Sequence, residues 1–525
     1  MKLIHNARIY TLDSTHPVAS ALVMDSGRVV VVGGEELLSE YENIKSEDMG
    51  GRVVLPGLTD AHIHLQEYAR SLRAVDCEGL TRQAILDRLA GRLTEMAPGE
   101  WLLGHGWDQN TWGGDWPGAA ELDALTPQNP VYLTAKSLHA AWVNSAALKL
   151  AGITADAVNP LDGRVQRDLH GRPSGMLFEN ALKLVENVIP EPDFEKLAKT
   201  FEQLMPKLWR MGVTGVHDFD GRRCFMALQL LHARGLLQLR VLKSIPFELL
   251  SQAVDLGLSS GFGDDYLRIG SIKLFADGAL GTHTGAMMAP YVDEPQNRGI
   301  LLLKADNVFE NGCQAAAAGL SLAVHAIGDR AVHEVLDGFA RLRNFEREHA
   351  MPALRHRMEH VQTILPEDAG RLAGLEIIAS MQPVHAPSDM LTADRLLGAR
   401  AAFSYGWGTQ LKHGARLAFG SDAPVESANP FHGLHAAVTR QRKDGSPGPE
   451  GWFPEQRLSV SAALAGFTSG PAYAAGMEDH LGYLSAGFLA DLIVIETDPF
   501  ACDPAELYSI QPIATMVGGD WVWQA

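Results

Sequence analysis

Eight apolar, β-rich runs are strung along this chain, with helical patterns between several of them, and that alternation restricts the fold more than any other feature. The runs are 55–64, 213–219, 239–245, 267–275, 320–327, 355–360, 376–382 and 417–420, with helical stretches such as 307–318 and 331–343 in the gaps. Strand-like runs separated by helical ones select parallel βα units over hairpins. Eight such units are the content of an α/β fold of the TIM (β/α)8 barrel type, whose reacting groups lie at the C-terminal ends of the strands.

The spacing is uneven. Residues 78–205 separate the first run from the second, too far for a loop, so an inserted subdomain is expected there. It carries five of the ten tryptophans, Trp101, Trp107, Trp112, Trp116 and Trp142. These suit either the insertion's own core or a lid lining an apolar substrate pocket. The ends of the chain read differently. Residues 1–54 hold short strands punctuated by Gly33-Gly34 and Gly50-Gly51, and 480–525 hold strand, turn, strand again around Gly518-Gly519. Each piece is too small to bury a core alone. One β-sandwich domain built from 1–54 together with 480–525 is therefore expected, leaving 55–479 to the barrel. The polar stretch 440–450 reads as a surface loop.

Bulk properties exclude several functions. The formal charge is −19, from 44 basic and 63 acidic residues, which argues against nucleic acid or an anionic membrane as a partner. Cys77, Cys224, Cys313 and Cys502 are far apart and form no C-x-x-C pair, so they read as small buried hydrophobes. The first ten residues lack the apolar core of a signal peptide, and no apolar run reaches ~18 residues. A cytoplasmic protein acting on a small molecule is expected. A homodimer is compatible with the sequence, which does not specify the oligomeric state.

The tips of the runs carry the chemistry. The first ends in Asp60-Ala-His62-Ile-His64, and strand alternation would put both imidazoles on one side, about 7 Å apart along the backbone. Two such imidazoles can chelate a divalent cation. The fourth carries Lys273 inside an apolar run, where an unpaired ammonium is costly, followed by Asp277. The fifth ends at His325, the sixth at His360, and the eighth runs into Gly420-Ser-Asp422. Individually each has a structural explanation, such as a hydrogen-bonded core histidine, a capping turn or a snorkelling lysine. In a barrel His62, His64, Lys273, His325, His360 and Asp422 crowd one mouth, and a single metal centre accounts for them together.

This ordered set resembles the metal-binding signature of the amidohydrolase superfamily. The likeness is nearest to its amidohydrolase family 3 branch, which includes N-substituted formamide deformylase-like proteins. The branch features are Ile272-Lys-Leu-Phe-Ala-Asp-Gly-Ala-Leu-Gly281, Gly106-Trp107-Asp108, His139-Ala-Ala-Trp-Val-Asn144 and the closing strand Ala490-Asp-Leu-Ile-Val-Ile. The resemblance implies one or two divalent metal ions, usually zinc. It assigns His62, His64 and Asp422 to the first ion and His325 and His360 to the second. In a binuclear site Lys273 bridges the two as a carbamate formed from carbon dioxide, because a plain ammonium would repel the cations. Asp422 then serves as the catalytic acid–base. Trp107, Asp108, His139 and Asp277 are candidate substrate contacts; for the last three, orienting a ligand or ordinary hydrogen bonding fits as well. The leading expectation is hydrolysis of a non-peptide C–N bond in an amide, formamide or cyclic amide. Ester or lactone hydrolysis on the same barrel and a non-catalytic metal-binding protein are the alternatives.

Overall fold

In a computed structural model of the chain, all residues are described except 73, 113–114, 136–139, 161–162, 191–192 and 282, and the side chains of 110, 111 and 179. The eight runs form eight parallel strands: β1 (Leu58–Ile63), β2 (Val213–Asp218), β3 (Arg240–Pro246), β4 (Leu267–Phe275), β5 (Leu322–Ala326), β6 (Arg357–His360), β7 (Ile378–Met381) and β8 (Leu417–Phe419). They lie side by side in chain order. Strands β1, β2 and β5 to β8 are almost entirely buried, which explains their near-continuous apolar character.

Closure of the ring is made just beyond β8. The Asp422 N–H donates to the His62 carbonyl at 2.7 Å and the His64 N–H to the Ala423 carbonyl at 3.0 Å. That approach requires glycine at position 420, since a Cβ there would stand 2.3 Å from the His62 nitrogen. Helices Ala305–Ala317 and Asp329–Glu348 flank β5 and bury apolar stripes that include Val308, Val335, Leu336 and Leu342.

The two ends of the chain hydrogen-bond into one sheet. Strand Leu492–Ile495 pairs antiparallel with Val53–Pro56 on one side and with Pro512–Val517 on the other, and Arg8–Tyr10 joins Val53–Pro56 in parallel. A second sheet, ordered Arg28–Gly33, Ala21–Asp25, Lys2–His5 and Lys45–Asp48, is formed by the N-terminal segment. Ile4, Leu22 and Met24 of this sheet share one core with Val54, Leu492, Val494 and Met516. A buried ion pair adds to the packing: Arg240, at the start of β3, reaches Asp491 with Nη2 2.7 Å from Oδ1.

The insertion is a compact unit of its own over Ala69–Asp193, and the rest of the chain forms the other unit. Its end falls short of the expected residue 205 for a physical reason. Helix Phe194–Arg210 has a stripe of Leu197, Phe201, Leu204, Leu208 and Trp209 at helical spacing, and this stripe is buried. The helix packs on β2 and on helix Arg222–Ala233, so it is the helix that leads into β2. The insertion folds around a six-stranded sheet ordered Gly163–Arg167, Pro173–Glu179, Ala140–Val143, Val131–Ala135, Leu102–Trp107 and Val75–Asp76. Trp107 and Trp142 are fully enclosed in its core, with Trp112 stacked on Trp107 at 5.8 Å between ring centroids. Cys77, Cys224, Cys313 and Cys502 are free thiols. Among the described residues, no helix is long and apolar enough to cross a membrane.

Candidate metal centre

His62 on β1, His64 just after it, His360 ending β6 and Asp422 after β8 meet at the C-terminal mouth of the barrel. Ligand atoms of His62, His360 and Asp422 all lie within 4.8 Å of one another. The Nε2 atoms of His62 and His64 each stand 3.5 Å from Asp422 Oδ1. Three of the imidazoles are held from behind through Nδ1: His62 by Glu359 Oε2 at 2.6 Å, His64 by Asp220 Oδ1 at 3.0 Å and His360 by Gln382 Oε1 at 2.8 Å. An acceptor on Nδ1 places the proton there and leaves the Nε2 lone pair free, which is the arrangement of a metal-ligating histidine. Burial also pushes the His62 and His360 pKa values well below the usual imidazole range, so both rings are neutral, the state that binds a cation.

His325 is a neighbour with a different attachment. Its ring centroid lies 4.5 Å from that of His360, while its Nε2 is 3.0 Å from the Gly278 carbonyl oxygen. Lys273, on the adjacent strand, is buried, and its Nζ has no hydrogen-bond partner among the described residues. The ammonium rests over the rings of Phe219 and Phe275, at 4.5 and 5.0 Å from their centroids. Burial lowers its pKa to about 8. Asp422 is buried as well, and desolvation raises its pKa above the normal carboxylate value. Two of the clustered residues, His360 (φ +73°) and Asp422 (φ +59°), have left-handed backbone, a strained conformation that accumulates at working sites.

Further carboxylates hold the cluster in shape. Asp60 accepts from the Ser421 N–H at 3.0 Å and the His62 N–H at 3.1 Å, joining the Gly420-Ser-Asp422 turn to β1. Glu359 is fully buried between His62 and Arg357, whose Nη1 contacts His217 Nδ1 at 2.8 Å. Asp218, Asp220 and Cys224 form another close group, but Lys243 Nζ lies 2.8 Å from Asp218 Oδ2 and supplies its positive charge.

The candidate substrate contacts fare differently. The Trp107 indole is enclosed in the insertion's core and its N–H donates to the Leu133 carbonyl at 2.8 Å, so Trp107 is a packing residue and not a pocket wall. Asp277 is also structural. Its carboxylate accepts from the backbone N–H groups of Ala286, Ile327 and Gly328 at 2.8, 3.0 and 2.8 Å, clamping its own loop to the segments at 286 and 327–328. Asp108 is half-buried just beyond strand Leu102–Trp107 of the insertion. His139 lies outside the described residues.

Four residues of the site escaped the sequence reading: Asp220, Glu359, Gln382 and His385. All follow a strand tip or sit within one, in His217-Asp-Phe-Asp220, Arg357-Met-Glu359-His360 and Met381-Gln382-Pro-Val-His385. Reading the tips of β2 and β7 as closely as those of β1, β5 and β8 finds three of them.

A model described as "Amidohydrolase family" matches residues 45–523. The chain belongs to the amidohydrolase family. Protein LONG AFTER FAR-RED 3 of Arabidopsis thaliana is 32% identical, covering 98% of this chain and 90% of that protein. N-substituted formamide deformylase of Arthrobacter pascens is 28% identical over 98% of this chain and 97% of its own length. A metal-dependent hydrolase structure from Pyrococcus furiosus superposes with a TM-score of 0.80 at 30% identity, covering 95% of this chain and 99% of that one. Membership of the amidohydrolase family makes this chain a hydrolase. Its donor set fits the metal dependence, with free Nε2 atoms, a carboxylate and an unpartnered amine gathered in one buried cluster.

Proposed function

We propose that the protein hydrolyses a non-peptide C–N bond, in an amide, formamide or cyclic amide, with Asp422 as the acid–base residue of a metal-dependent site. The observation that carries this reading is the convergence of His62, His64, His360 and Asp422 with the imidazole Nδ1 atoms already engaged. His62, His64 and Asp422 would hold one divalent ion, most simply zinc given the nitrogen and oxygen donors. His360 and His325 would hold a second, which requires the His325 Nε2 to leave the Gly278 carbonyl. Lys273 suits the bridging role: its amine is buried, unpartnered and depressed to about 8, so a large share of it is neutral near pH 8 and able to add carbon dioxide as a carbamate, releasing one proton.

When bound, a divalent cation in such a site supplies Lewis acidity, polarising a carbonyl and lowering the pKa of water toward ~7. The chain's own groups manage the proton. Asp422, whose Oδ1 stands 3.5 Å from the Nε2 atoms of both His62 and His64, takes the proton of the attacking water. It then delivers that proton to the departing nitrogen. Glu359, Asp220 and Gln382 keep the imidazoles oriented throughout. Formamide as the acyl class draws support from the Arthrobacter pascens relative.

The test combines metal analysis of the purified protein with hydrolysis of N-benzylformamide and benzyl formate, a pair differing only in a leaving nitrogen or oxygen. Cleavage of the formamide by metal-loaded protein, lost in Asp422→Asn, is expected. Cleavage of the ester alone would move the reading to an esterase or lactonase. A chain that takes up no metal after reconstitution with zinc, manganese, iron or nickel would overturn the reading in favour of a non-catalytic protein.

A further inference from the structure

His385 follows β7 by four residues and opens helix His385–Leu397. Its side chain is 5% exposed and its ring lies parallel to that of His360, with 9° between planes and 6.3 Å between centroids. Among the described residues its Nε2 has no hydrogen-bond partner.

The far side of the ring decides which nitrogen carries the proton. Tyr405 gives its single hydroxyl proton to Asp389 Oδ2 at 2.7 Å, so toward any other neighbour its oxygen only accepts. The Gln362 side-chain amide lies between Tyr405 and His385, with one terminal atom 3.5 Å from the hydroxyl and the other 3.2 Å from His385 Nδ1. The amide nitrogen therefore belongs on the Tyr405 side and the amide oxygen on the His385 side. Nδ1 donates to that oxygen, and the Nε2 lone pair is left open. His385 thus has the polarity of His62, His64 and His360, with Nδ1 engaged and Nε2 available to a cation.

That lone pair faces another acceptor. Asp422 Oδ2 is 3.9 Å from His385 Nε2, beyond hydrogen-bonding range, whereas Oδ1 of the same carboxylate is turned to His62 and His64. Two facing acceptors repel each other unless positive charge comes between them. Nitrogen and oxygen ligands each ~2.0–2.2 Å from one zinc ion stand at most about 4.3 Å apart, so 3.9 Å admits a shared ion with both side chains where they are. Glu426 adds to the local demand for positive charge, since burial and the nearby Asp389 and Asp422 carboxylates raise its pKa.

We propose that His385 Nε2 and Asp422 Oδ2 form a separate, inhibitory site for a divalent cation. Two protein donors hold an ion more weakly than three or four, and the resident ion repels a newcomer, so this position fills only when metal is in excess. The inhibition rests on the hydrolase reading: an ion on Oδ2 occupies the carboxylate that takes the proton of the attacking water. General acid–base catalysis typically contributes 10²–10⁴-fold, so filling the site should slow hydrolysis by ~100-fold or more.

The experiment is equilibrium dialysis of the full-length, zinc-reconstituted protein against rising zinc, with hydrolysis of N-benzylformamide measured at each concentration. Wild type should take up one ion more per chain than His385→Phe at high zinc, and both should hold the same number at limiting zinc. The difference between the two removes zinc bound by surface histidines. Wild-type hydrolysis should fall as the extra ion binds, while the variant should lose less than twofold of its own rate at limiting zinc. His385→Gln, which keeps a polar side chain, repeats the comparison should phenylalanine disturb the packing. Equal uptake by wild type and a folded variant would overturn the proposal, as would wild-type hydrolysis that persists with the extra ion bound; both results leave the hydrolase reading intact. An extra ion lost on substitution, with no hydrolysis of formamide or ester at any zinc concentration, would leave the cation site in place and fault the hydrolase reading.

Discussion

Replacing Glu359 by glutamine changes one atom and should dismantle the geometry of His62. Three N–H groups converge on this buried carboxylate: Arg357 Nε donates to Oε1 at 2.5 Å, Arg357 Nη2 to Oε2 at 3.0 Å, and His62 Nδ1 to Oε2 at 2.6 Å. A glutamine has one acceptor oxygen and one NH2. If its oxygen takes Arg357 Nε, the NH2 faces both Arg357 Nη2 and His62 Nδ1, forcing the imidazole proton onto Nε2 and removing the lone pair a cation needs. If the amide flips, the NH2 opposes Arg357 Nε, and the charge that neutralises the guanidinium is still lost. Outer partners of ligating histidines typically contribute 10–100-fold to metal affinity. That range equals about 1.4–2.8 kcal/mol at ~1.4 kcal/mol per tenfold, within reach of the ~1.5–3 kcal/mol typical of a hydrogen bond to a charged group. Competition with a chromophoric chelator would measure zinc affinity in Glu359→Gln against wild type, and circular dichroism would check that the barrel is retained. A folded variant whose affinity lies within twofold of wild type would refute the argument and reduce Glu359 to a counter-ion for Arg357.

Two further predictions concern ionisable groups. Protein equilibrated with carbon-13-labelled bicarbonate should show a carbamate carbonyl resonance that is absent in Lys273→Met, together with a fall in bound metal in the variant; a wild-type spectrum without the signal would exclude the carbamate. His356 should contribute a loss of stability as the pH drops below about 6.5, the ordinary imidazole value. His356 is buried, with Nδ1 accepting from the Leu322 N–H and Nε2 on Glu346, and burial lowers its pKa. The unfolded chain therefore takes up a proton near 6.5 that the folded chain refuses, so stability declines from that pH downward through the folded pKa. Glu346, lowered by its bonds to His356 and Arg343 despite its burial, loses its contribution at still lower pH, in the same direction. His356→Gln should flatten the dependence of the apparent melting temperature between pH 7 and 5; an unchanged slope would rule out His356 as the source.

The sequence by itself determined the strands and the order of their tips. An apolar run long enough for a strand, bounded by turn residues and separated from the next by a helical pattern, is a local property, and each of the eight runs contains a strand. The ligand candidates were legible for the same reason, because a histidine or aspartate at the end of a buried run is conspicuous in one dimension. What holds those candidates was not legible. Glu359 and His62 are separated by 297 positions, and Asp220 and His64 by 156, so only closure of the barrel makes them partners. Tertiary packing also assigned roles that residue type left open. Trp107 became core because its indole N–H found the Leu133 carbonyl, and Asp277 became a clamp because three backbone N–H groups reached it. The histidines are the sharpest case. Composition and spacing treat them all alike, whereas the acceptors on Nδ1 of His62, His64 and His360 leave the far nitrogens free to bind a cation, and those neighbours are supplied only by the fold.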